Sequence, residues 1–164
     1  MIVVVMGVSG SGKSVVGQAL ARDLGWPFFD ADDFHPPENV AKMAVGTPLT
    51  DADRWPWLDR LALEMGAIDK RGDNAVLACS ALRQAYRDRI SRAGDVRFVH
   101  LAGDYDTIAK RIAARKHAYM PASLLASQFS ALEPPADAIT ISIEDAVPEE
   151  VAKIRAALAP RKDA

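Results

Sequence analysis

Cysteine is nearly absent from this chain, and no apolar run is long enough to cross a membrane. Cys79 is the only cysteine among 164 residues, which excludes a disulfide within the chain and favours a reducing compartment. The formal net charge is −2, so no overall basic field attracts nucleic acid or acidic lipid. Residues 1–6 lack the basic region of a signal peptide. We therefore expect a soluble, cytoplasmic protein with neither nucleic-acid nor membrane partners.

What the chain does contain is a complete phosphate-binding loop. Residues 7–14 match the pattern G-x-x-x-x-G-K-[ST], with an apolar β-branched run before them and a helical pattern over 14–24 after them. Glycines let backbone N–H groups converge on phosphates, and the helix N-terminus adds partial positive charge. Lys13 then reaches the β- and γ-phosphates, and the Ser14 hydroxyl ligates Mg²⁺. The predicted ATP-binding residues are Gly7, Val8, Ser9, Gly10, Ser11, Gly12, Lys13 and Ser14; the alternative is a plain turn between a strand and a helix.

Further apolar runs predict the rest of a sheet. They lie at residues 26–29, 75–79, 96–101 and 138–143, and amphipathic helical patterns separate them. This alternation predicts a three-layer α/β/α fold of the P-loop kinase type, built on a five-stranded parallel sheet. We expect one domain over residues 1–164. Because ligands of such sheets bind beyond the carboxyl ends of the strands, the residues after each strand are the site candidates.

Acidic residues follow the second predicted strand. Asp30 and Asp32 are two residues apart, so they project to the same side of an extended segment. Beside a triphosphate, Asp30 would help Ser14 to hold hydrated Mg²⁺, and Asp32 would orient the attacking hydroxyl or accept its proton. The alternative is that these aspartates cap the next helix, a role that suits Asp33 best. Ser80, after the third strand, stands where many P-loop proteins carry a metal-directed aspartate.

Residues 34–60 predict a helical insertion over the strand ends. Prolines at 36–37 favour a helix start. Asp51 or Asp53 can cap the next helix, where Pro56 is tolerated in the first turn. An insertion of this kind suits an acceptor-binding flap.

The most specific motifs begin in this insertion and continue almost to the end of the chain. Besides residues 6–14, they comprise His35-Pro36, Asn39, Lys42-Met43, Gly46, Pro48-Leu49, Asp51, Asp53-Arg54, Pro56-Trp57-Leu58, Cys79-Ser80-Ala81-Leu82, Tyr86-Arg87-Asp88, Ser127-Gln128-Phe129 and Leu132-Glu133. In these motifs the chain resembles the gluconate kinase (gluconokinase) family of P-loop small-molecule kinases. The resemblance implies ATP-dependent phosphorylation of D-gluconate at its 6-hydroxyl, yielding 6-phosphogluconate and ADP for sugar-acid catabolism. A homodimer is expected from the resemblance alone.

Three arginines are candidates for binding the carboxylate of such an acceptor, because a guanidinium binds a carboxylate bidentately. Arg54 and Arg87 fall inside the motifs, and we favour binding for both. Arg83 and Arg87 are four apart on a predicted helix, so we expect them to face the same way. The alternative for each is a solvated surface charge, and for Arg83 the two interpretations are evenly balanced.

Asp32, His35 and Ser80 are the candidates for contacts to acceptor hydroxyls. Since the transition state of phosphoryl transfer is loose, a primary alcohol needs no strong base, and we assign His35 to substrate binding. A histidine between phenylalanine and proline can equally be a structural contact. Cys79 is interpreted as a buried apolar residue and not as a nucleophile.

A basic helix follows the fourth predicted strand. Arg111 and Arg115 are four apart and share a face. We predict that both bind the nucleotide and that Arg111 also acts catalytically, when a lid over about residues 115–123 closes. The alternative is a solvated face paired with nearby acids. The family pattern Gly-His-Phe is replaced in this lid by residues 117–119, which read His-Ala-Tyr.

Two other functions compete with gluconate phosphorylation. The acids after the second strand suit a kinase of another small acceptor, such as shikimate, adenylylsulfate or a nucleoside monophosphate. A nucleotide-binding switch without transferase activity is the second alternative, and the acceptor-like block at residues 35–58 argues against it.

Overall fold

The computed structural model describes residues 1–115 and 122–159, and a five-stranded parallel sheet forms the centre of the described chain. The strands are β1 (Ile2–Met6), β2 (Phe28–Asp30), β3 (Ala75–Ala78), β4 (Val96–Ala102) and β5 (Ile139–Ser142), in the spatial order β2-β3-β1-β4-β5. The helices are α1 (Lys13–Leu24), α2 (Pro37–Ala44), α3 (Asp51–Lys70), α4 (Gln84–Ile90), α5 (Tyr105–Ala113), α6 (Ala122–Ala131) and α7 (Val147–Leu158). Short 3₁₀ helices lie at Ala31–Phe34 and Ser91–Ala93. The predicted α/β fold with five parallel strands is confirmed, and no described helix has the length and apolar character of a membrane span.

Two hydrophobic clusters cover the two faces of this sheet. Along β1, Val3 and Val5 belong to one cluster, whereas the alternate residues Ile2, Val4 and Met6 belong to the other. Helices α1, α5 and α7 supply apolar side chains to the first cluster, and helices α3 and α4 supply them to the second. Because every residue of β1 is buried, its sequence is continuously apolar instead of alternating.

Strand β2 is shorter than the predicted run and begins two residues later. Pro27 has no N–H to give to a sheet, although its carbonyl accepts a hydrogen bond from Val76 N at 3.0 Å. Trp26 packs against the first hydrophobic cluster instead of joining the strand.

Cys79, directly after β3, is buried, and this burial raises the pKa of its thiol to about 12. The interpretation of Cys79 as a packed, unreactive residue is confirmed.

The insertion between β2 and β3 is helical, as predicted, but its caps differ from expectation. Helix α2 begins directly after Pro36, as the proline pair indicates. The N-cap of α3 is Thr50, whose Oγ1 accepts from Asp53 N at 3.2 Å while the Asp53 carboxylate accepts from Thr50 N at 2.9 Å. The prediction that Asp51 or Asp53 is the N-cap is therefore wrong, because a capping box places the acid three residues inside the helix. Pro56 falls in the second turn and not in the first.

Leu61 and Leu63 of α3 offer a matched test of this packing. Leu61 is fully buried in the second cluster, whereas Leu63 is 72% exposed. We expect Leu61→Ala to lower the free energy of unfolding by about 2–5 kcal/mol, because it leaves a cavity. Leu63→Ala, the control, should change it by less than about 0.5 kcal/mol. Urea unfolding followed by circular dichroism measures both, and equal losses would contradict the packing described here.

Candidate active site

The phosphate loop is built from backbone conformations that favour glycine. Gly10 and Gly12 have φ of +81° and +96°, a region that side chains with a Cβ rarely adopt. A Cβ on Gly10 would also lie 2.7 Å from Ile112 Cγ1 of α5, so the loop and this helix are in direct contact. Gly12 precedes α1 without a side-chain cap. The first amides of α1 therefore remain available to an anion.

Two polar groups of the loop fit the phosphates of a nucleotide. Ser11 Oγ is buried and has no hydrogen-bond partner among the described residues, which is costly unless a ligand supplies one. Lys13 Nζ donates to Val8 O at 3.0 Å, and burial lowers the pKa of this ammonium group. A buried hydroxyl without a partner and a desolvated cation both gain from an anion, so the residues present suit a triphosphate.

Asp30 joins the loop to the end of β2. Ser14 Oγ donates to Asp30 Oδ2 at 3.2 Å, and Asp30 Oδ1 accepts from Asp32 N at 3.0 Å. Asp30 is thus the N-cap of the 3₁₀ helix and also the partner of Ser14, so the prediction that Asp33 best suits a cap is wrong. Across residues 1–115 and 122–159, no group of three or more His, Cys, Asp or Glu side chains could hold a metal. Ser14 and Asp30 present two oxygen atoms, and such a small set is compatible with Mg²⁺, which usually keeps several of its waters.

Asp32 stands in the cleft between the loop and the insertion. Its side chain is 82% exposed, yet the protein atoms around it partly desolvate the carboxyl group. This desolvation raises the pKa of its carboxyl, and the negative charge of Asp30 raises it further. The positive charge of Lys13 acts in the opposite direction, which places Asp32 close to the phosphate loop. Such a carboxylate can orient a hydroxyl and accept its proton.

His35 is a neighbour of Asp32, and its side chain is packed into the protein. Its ring stacks on Trp57 with centroids 4.1 Å apart, and its side chain is only 4% exposed. Asn39 Nδ2 donates to His35 Nδ1 at 3.2 Å, so the neutral ring carries its proton on Nε2, which lies 3.8 Å from Asp32 Oδ1. Burial lowers the pKa of His35, which favours the neutral ring. This packing suggests that His35 positions Asp32, and it argues against the predicted contact of His35 with the substrate.

Arg87 is not free to bind a substrate, contrary to the prediction. The residue is 2% exposed, and its guanidinium donates to Ala81 O, Leu82 O, Gln84 Oε1 and Glu133 O at distances of 2.8–3.1 Å. These bonds hold the segment after β3, in which Ala81 adopts φ of +45°. In the same segment, Ser80 O accepts from Gly7 N at 3.3 Å. Arg87 therefore stabilises a strained turn beside the phosphate loop.

Arg54 and Arg83 are brought together instead, on either side of Asp51. Each has a guanidinium nitrogen 3.7 Å from an Asp51 carboxylate oxygen, and Tyr86 donates its hydroxyl proton to the same carboxylate. Arg83 precedes α4 as its N-cap residue, so it does not share a helical face with Arg87, and that prediction is wrong. The sequence predicted only a capping role for Asp51 and none for Tyr86, although both lie in the quoted motifs.

The two arginines after β4 lie in different surroundings. Arg111 donates to Ile143 O beyond β5. Burial raises the pKa of Glu150, and the nearby charge of Arg111 opposes this rise. The structure thus holds Arg111 at the end of β5, two strands away from β1, which argues against the predicted catalytic contact. Arg115 is exposed, and its charge lowers the pKa of Lys13, so it lies nearer the loop. Residues 116–121 of the predicted lid, including His117, fall outside the described residues.

Comparison with known proteins places this geometry among small-molecule kinases. The family model described as shikimate kinase matches residues 9–153. A gluconokinase of Gluconobacter oxydans (strain 621H) is 48% identical over 136 residues, which cover 82% of this chain and 76% of that protein. A probable gluconokinase of Xenopus tropicalis is 48% identical over 151 residues, covering 82% and 80% respectively. The crystal structure of a gluconokinase from Sinorhizobium meliloti 1021 has a TM-score of 0.86 and 40% identity, covering 95% of this chain and 90% of that one.

The charge of Asp30 should be measurable at Asp32. Asp30→Asn keeps an oxygen for the bond from Asp32 N but removes a negative charge, so the pKa of Asp32 should fall toward its ordinary value. Asp33→Asn is the control, because Asp33 contributes least among the groups that raise this pKa. Carbon-detected NMR titration of the carboxyl groups measures both variants. An equal fall in the two variants, or no fall in Asp30→Asn, would contradict the assigned electrostatics.

Proposed function

The chain belongs to the gluconokinase family, among the shikimate kinase-like P-loop kinases, and from this premise we propose which of its residues perform the transfer. The protein is a phosphotransferase that phosphorylates gluconate with ATP. We propose that the phosphoryl group goes to the 6-hydroxyl, a primary alcohol remote from the carboxylate, and that the products are 6-phosphogluconate and ADP.

The strongest support for these roles is a continuous series of charged or ionisable neighbours. The series connects the donor side of the site with the acceptor side. It runs through Lys13, Asp32, His35, Arg54, Asp51 and Arg83. Lys13 marks the phosphate loop, and Arg54 with Arg83 can neutralise a carboxylate. Asp32 lies between these two ends. A small hydroxylated anion can therefore hold its carboxylate at the arginines while its far hydroxyl faces the donor.

On the donor side, we propose that residues 7–14 hold the triphosphate. The amides at the start of α1 and the Ser11 hydroxyl donate to phosphate oxygens, and Lys13 exchanges Val8 O for an anionic partner. Ser14 and Asp30 hold the Mg²⁺ site. At this site Mg²⁺ would supply positive charge that stabilises the negative charge developing during transfer. Arg115, which is close enough to influence Lys13, adds positive charge from just beyond the end of α5.

On the acceptor side, Asp32 directs the 6-hydroxyl at the γ-phosphorus. The new bond joins the 6-oxygen to phosphorus, the bond from phosphorus to the β–γ bridging oxygen breaks, and the hydroxyl proton passes to Asp32. Because the transition state is loose, orientation by Asp32 matters more than its basicity. Arg83 lies beyond hydrogen-bond distance from Asp51, so it can turn to the acceptor carboxylate. Arg54 Nη1 donates to Leu49 O at 2.7 Å, and its remaining N–H groups face the same carboxylate in our proposal. The backbone of Ser80 is bonded to Gly7, and we propose that its hydroxyl binds an acceptor hydroxyl.

We also propose that the kinase works as one domain in the cytoplasm and as a homodimer. The single cysteine, which is buried, supports a reducing compartment. Analytical ultracentrifugation of the purified chain decides between monomer and dimer.

An acceptor panel tests the proposed reaction directly. The purified protein is given ATP, MgCl₂ and either D-gluconate, shikimate, adenylylsulfate or a nucleoside monophosphate, and ADP release is followed by a coupled assay. We expect ADP release that depends on D-gluconate. Lys13→Ala should abolish it while the melting temperature stays close to that of the parent, since Lys13 serves the phosphates and not the core. Turnover on another acceptor with none on D-gluconate would overturn the assignment.

Arg83 and Arg87 should separate binding from stability. Arg83→Ala should raise the KM for D-gluconate about tenfold or more, in line with a charged hydrogen bond of about 1.5–3 kcal/mol, without a change in the KM for ATP. Arg87→Ala removes four hydrogen bonds, two of them buried and two partly buried, so its melting temperature should fall by several degrees. Steady-state kinetics and thermal melts measure both variants. The reverse pattern would overturn the proposed roles of the two arginines.

A further inference from the structure

Gln128 of α6 makes two hydrogen bonds to a single residue of the phosphate loop. Ser9 N donates to Gln128 Oε1 at 2.6 Å, and Gln128 Nε2 donates to Ser9 Oγ at 2.8 Å. The two residues are separated by 119 positions in the chain, so the contact exists only because of the fold. The quoted motif Ser127-Gln128-Phe129 has no role in the mechanism above, which makes this contact its first physical explanation.

The direction of both bonds is determined by chemistry. A backbone N–H can only donate, so the group of Gln128 that faces Ser9 N must be the carbonyl oxygen. The amide nitrogen of Gln128 must then face Ser9 Oγ, and this nitrogen has only protons to offer. Ser9 Oγ is therefore an acceptor in this contact, and the proton of its own hydroxyl is left for a different acceptor.

Helix α6 is also attached to the acceptor side of the cleft. Glu133, just beyond its end, donates its N–H to Leu82 O at 2.8 Å, and its carboxylate accepts from Gln84 N at 2.5 Å. Leu82 and Gln84 belong to the segment that Arg87 holds. Gln128 therefore acts from a helix that is also anchored outside the phosphate loop, at the segment after β3.

We propose that Gln128 is a positioning residue of the donor site, which engages the Ser9 amide and directs the Ser9 hydroxyl proton toward a phosphate oxygen of the bound nucleotide. The amide of Ser9 is used by Gln128, so the hydroxyl is the donor that Ser9 retains for the ligand. The proposal rests on the function proposed above only in requiring that a nucleoside triphosphate occupies the loop. A glutamate at 128 would invert the arrangement, because a carboxylate accepts from both Ser9 groups and takes the hydroxyl proton for itself.

The test measures nucleotide binding without any acceptor, so it does not depend on the identity of the acceptor. Isothermal titration calorimetry with MgCl₂ and a nonhydrolysable ATP analogue is applied to Gln128→Glu, Ser9→Ala and the double variant. Gln18→Glu is the control, since Gln18 is an exposed glutamine of α1. We expect each of the two single variants to raise the Kd about tenfold, the effect of losing one hydrogen bond to a charged group. The Kd of the double variant should not exceed the higher of the two single-variant Kd values, because both changes remove the same contact.

Three results would overturn the proposal. One is a Kd for Gln128→Glu within about twofold of that of the Gln18→Glu control. Another is an equal weakening by Gln128→Glu in the parent loop and in the Ser9→Ala loop, which would indicate simple charge repulsion. If thermal melting shows that Gln128→Glu does not fold, Gln128→Met is used in its place, because methionine removes both hydrogen bonds without adding charge. The third contradicting result is a Kd of Gln128→Met equal to that of the parent protein.

Discussion

The pairing of β1 with β3 on one edge and with β4 on the other determines where every other part of the site lies. All residues of β1 are buried, so this strand cannot shift without exposing both hydrophobic clusters. The phosphate loop leaves its carboxyl end, and the segment after β3 meets that loop where Ser80 O accepts from Gly7 N. One strand farther, Asp30 ends β2 and reaches Ser14. Parallel pairing thus brings three distant segments of the chain to one edge of the sheet.

At this edge of the sheet, several groups adopt locally unfavourable states that an anion would relieve. Ser11 keeps a buried hydroxyl without a protein partner, and Lys13 carries its charge in a desolvated position. Asp32 has a raised pKa because of its surroundings and of Asp30, and Ala81 holds a left-handed backbone conformation. Each feature costs stability in isolation, and the packed core offsets it. Their concentration in one cleft is what a phosphoryl-transfer site requires, since catalysis there depends on preorganised charge.

Charges of the same type take different roles according to what surrounds them. Arg83 is 47% exposed and loosely paired with Asp51, whereas Arg87, only four residues later, is buried among carbonyl groups. The first can exchange its partner for a substrate carboxylate, and the second cannot without unfolding the turn that it holds. Arg111 and Arg115 differ in a similar way, since one is bound beyond β5 and the other lies near Lys13.

The sequence by itself determined the fold class, the phosphate loop, the family resemblance and the helical insertion. These depend on short-range signals: an eight-residue motif, apolar periodicity, and turn residues such as Pro36. The cap of α3 is also encoded locally, by the capping box of Thr50 and Asp53, although an aspartate was predicted for it. Only the tertiary structure decided that Arg83 and Arg54 share Asp51, that His35 packs next to Asp32 and that Gln128 binds Ser9. Spacing along a helix shows which residues can share a face. It cannot show which acceptor lies opposite them when that acceptor belongs to a distant segment, as with the 119 positions between Ser9 and Gln128.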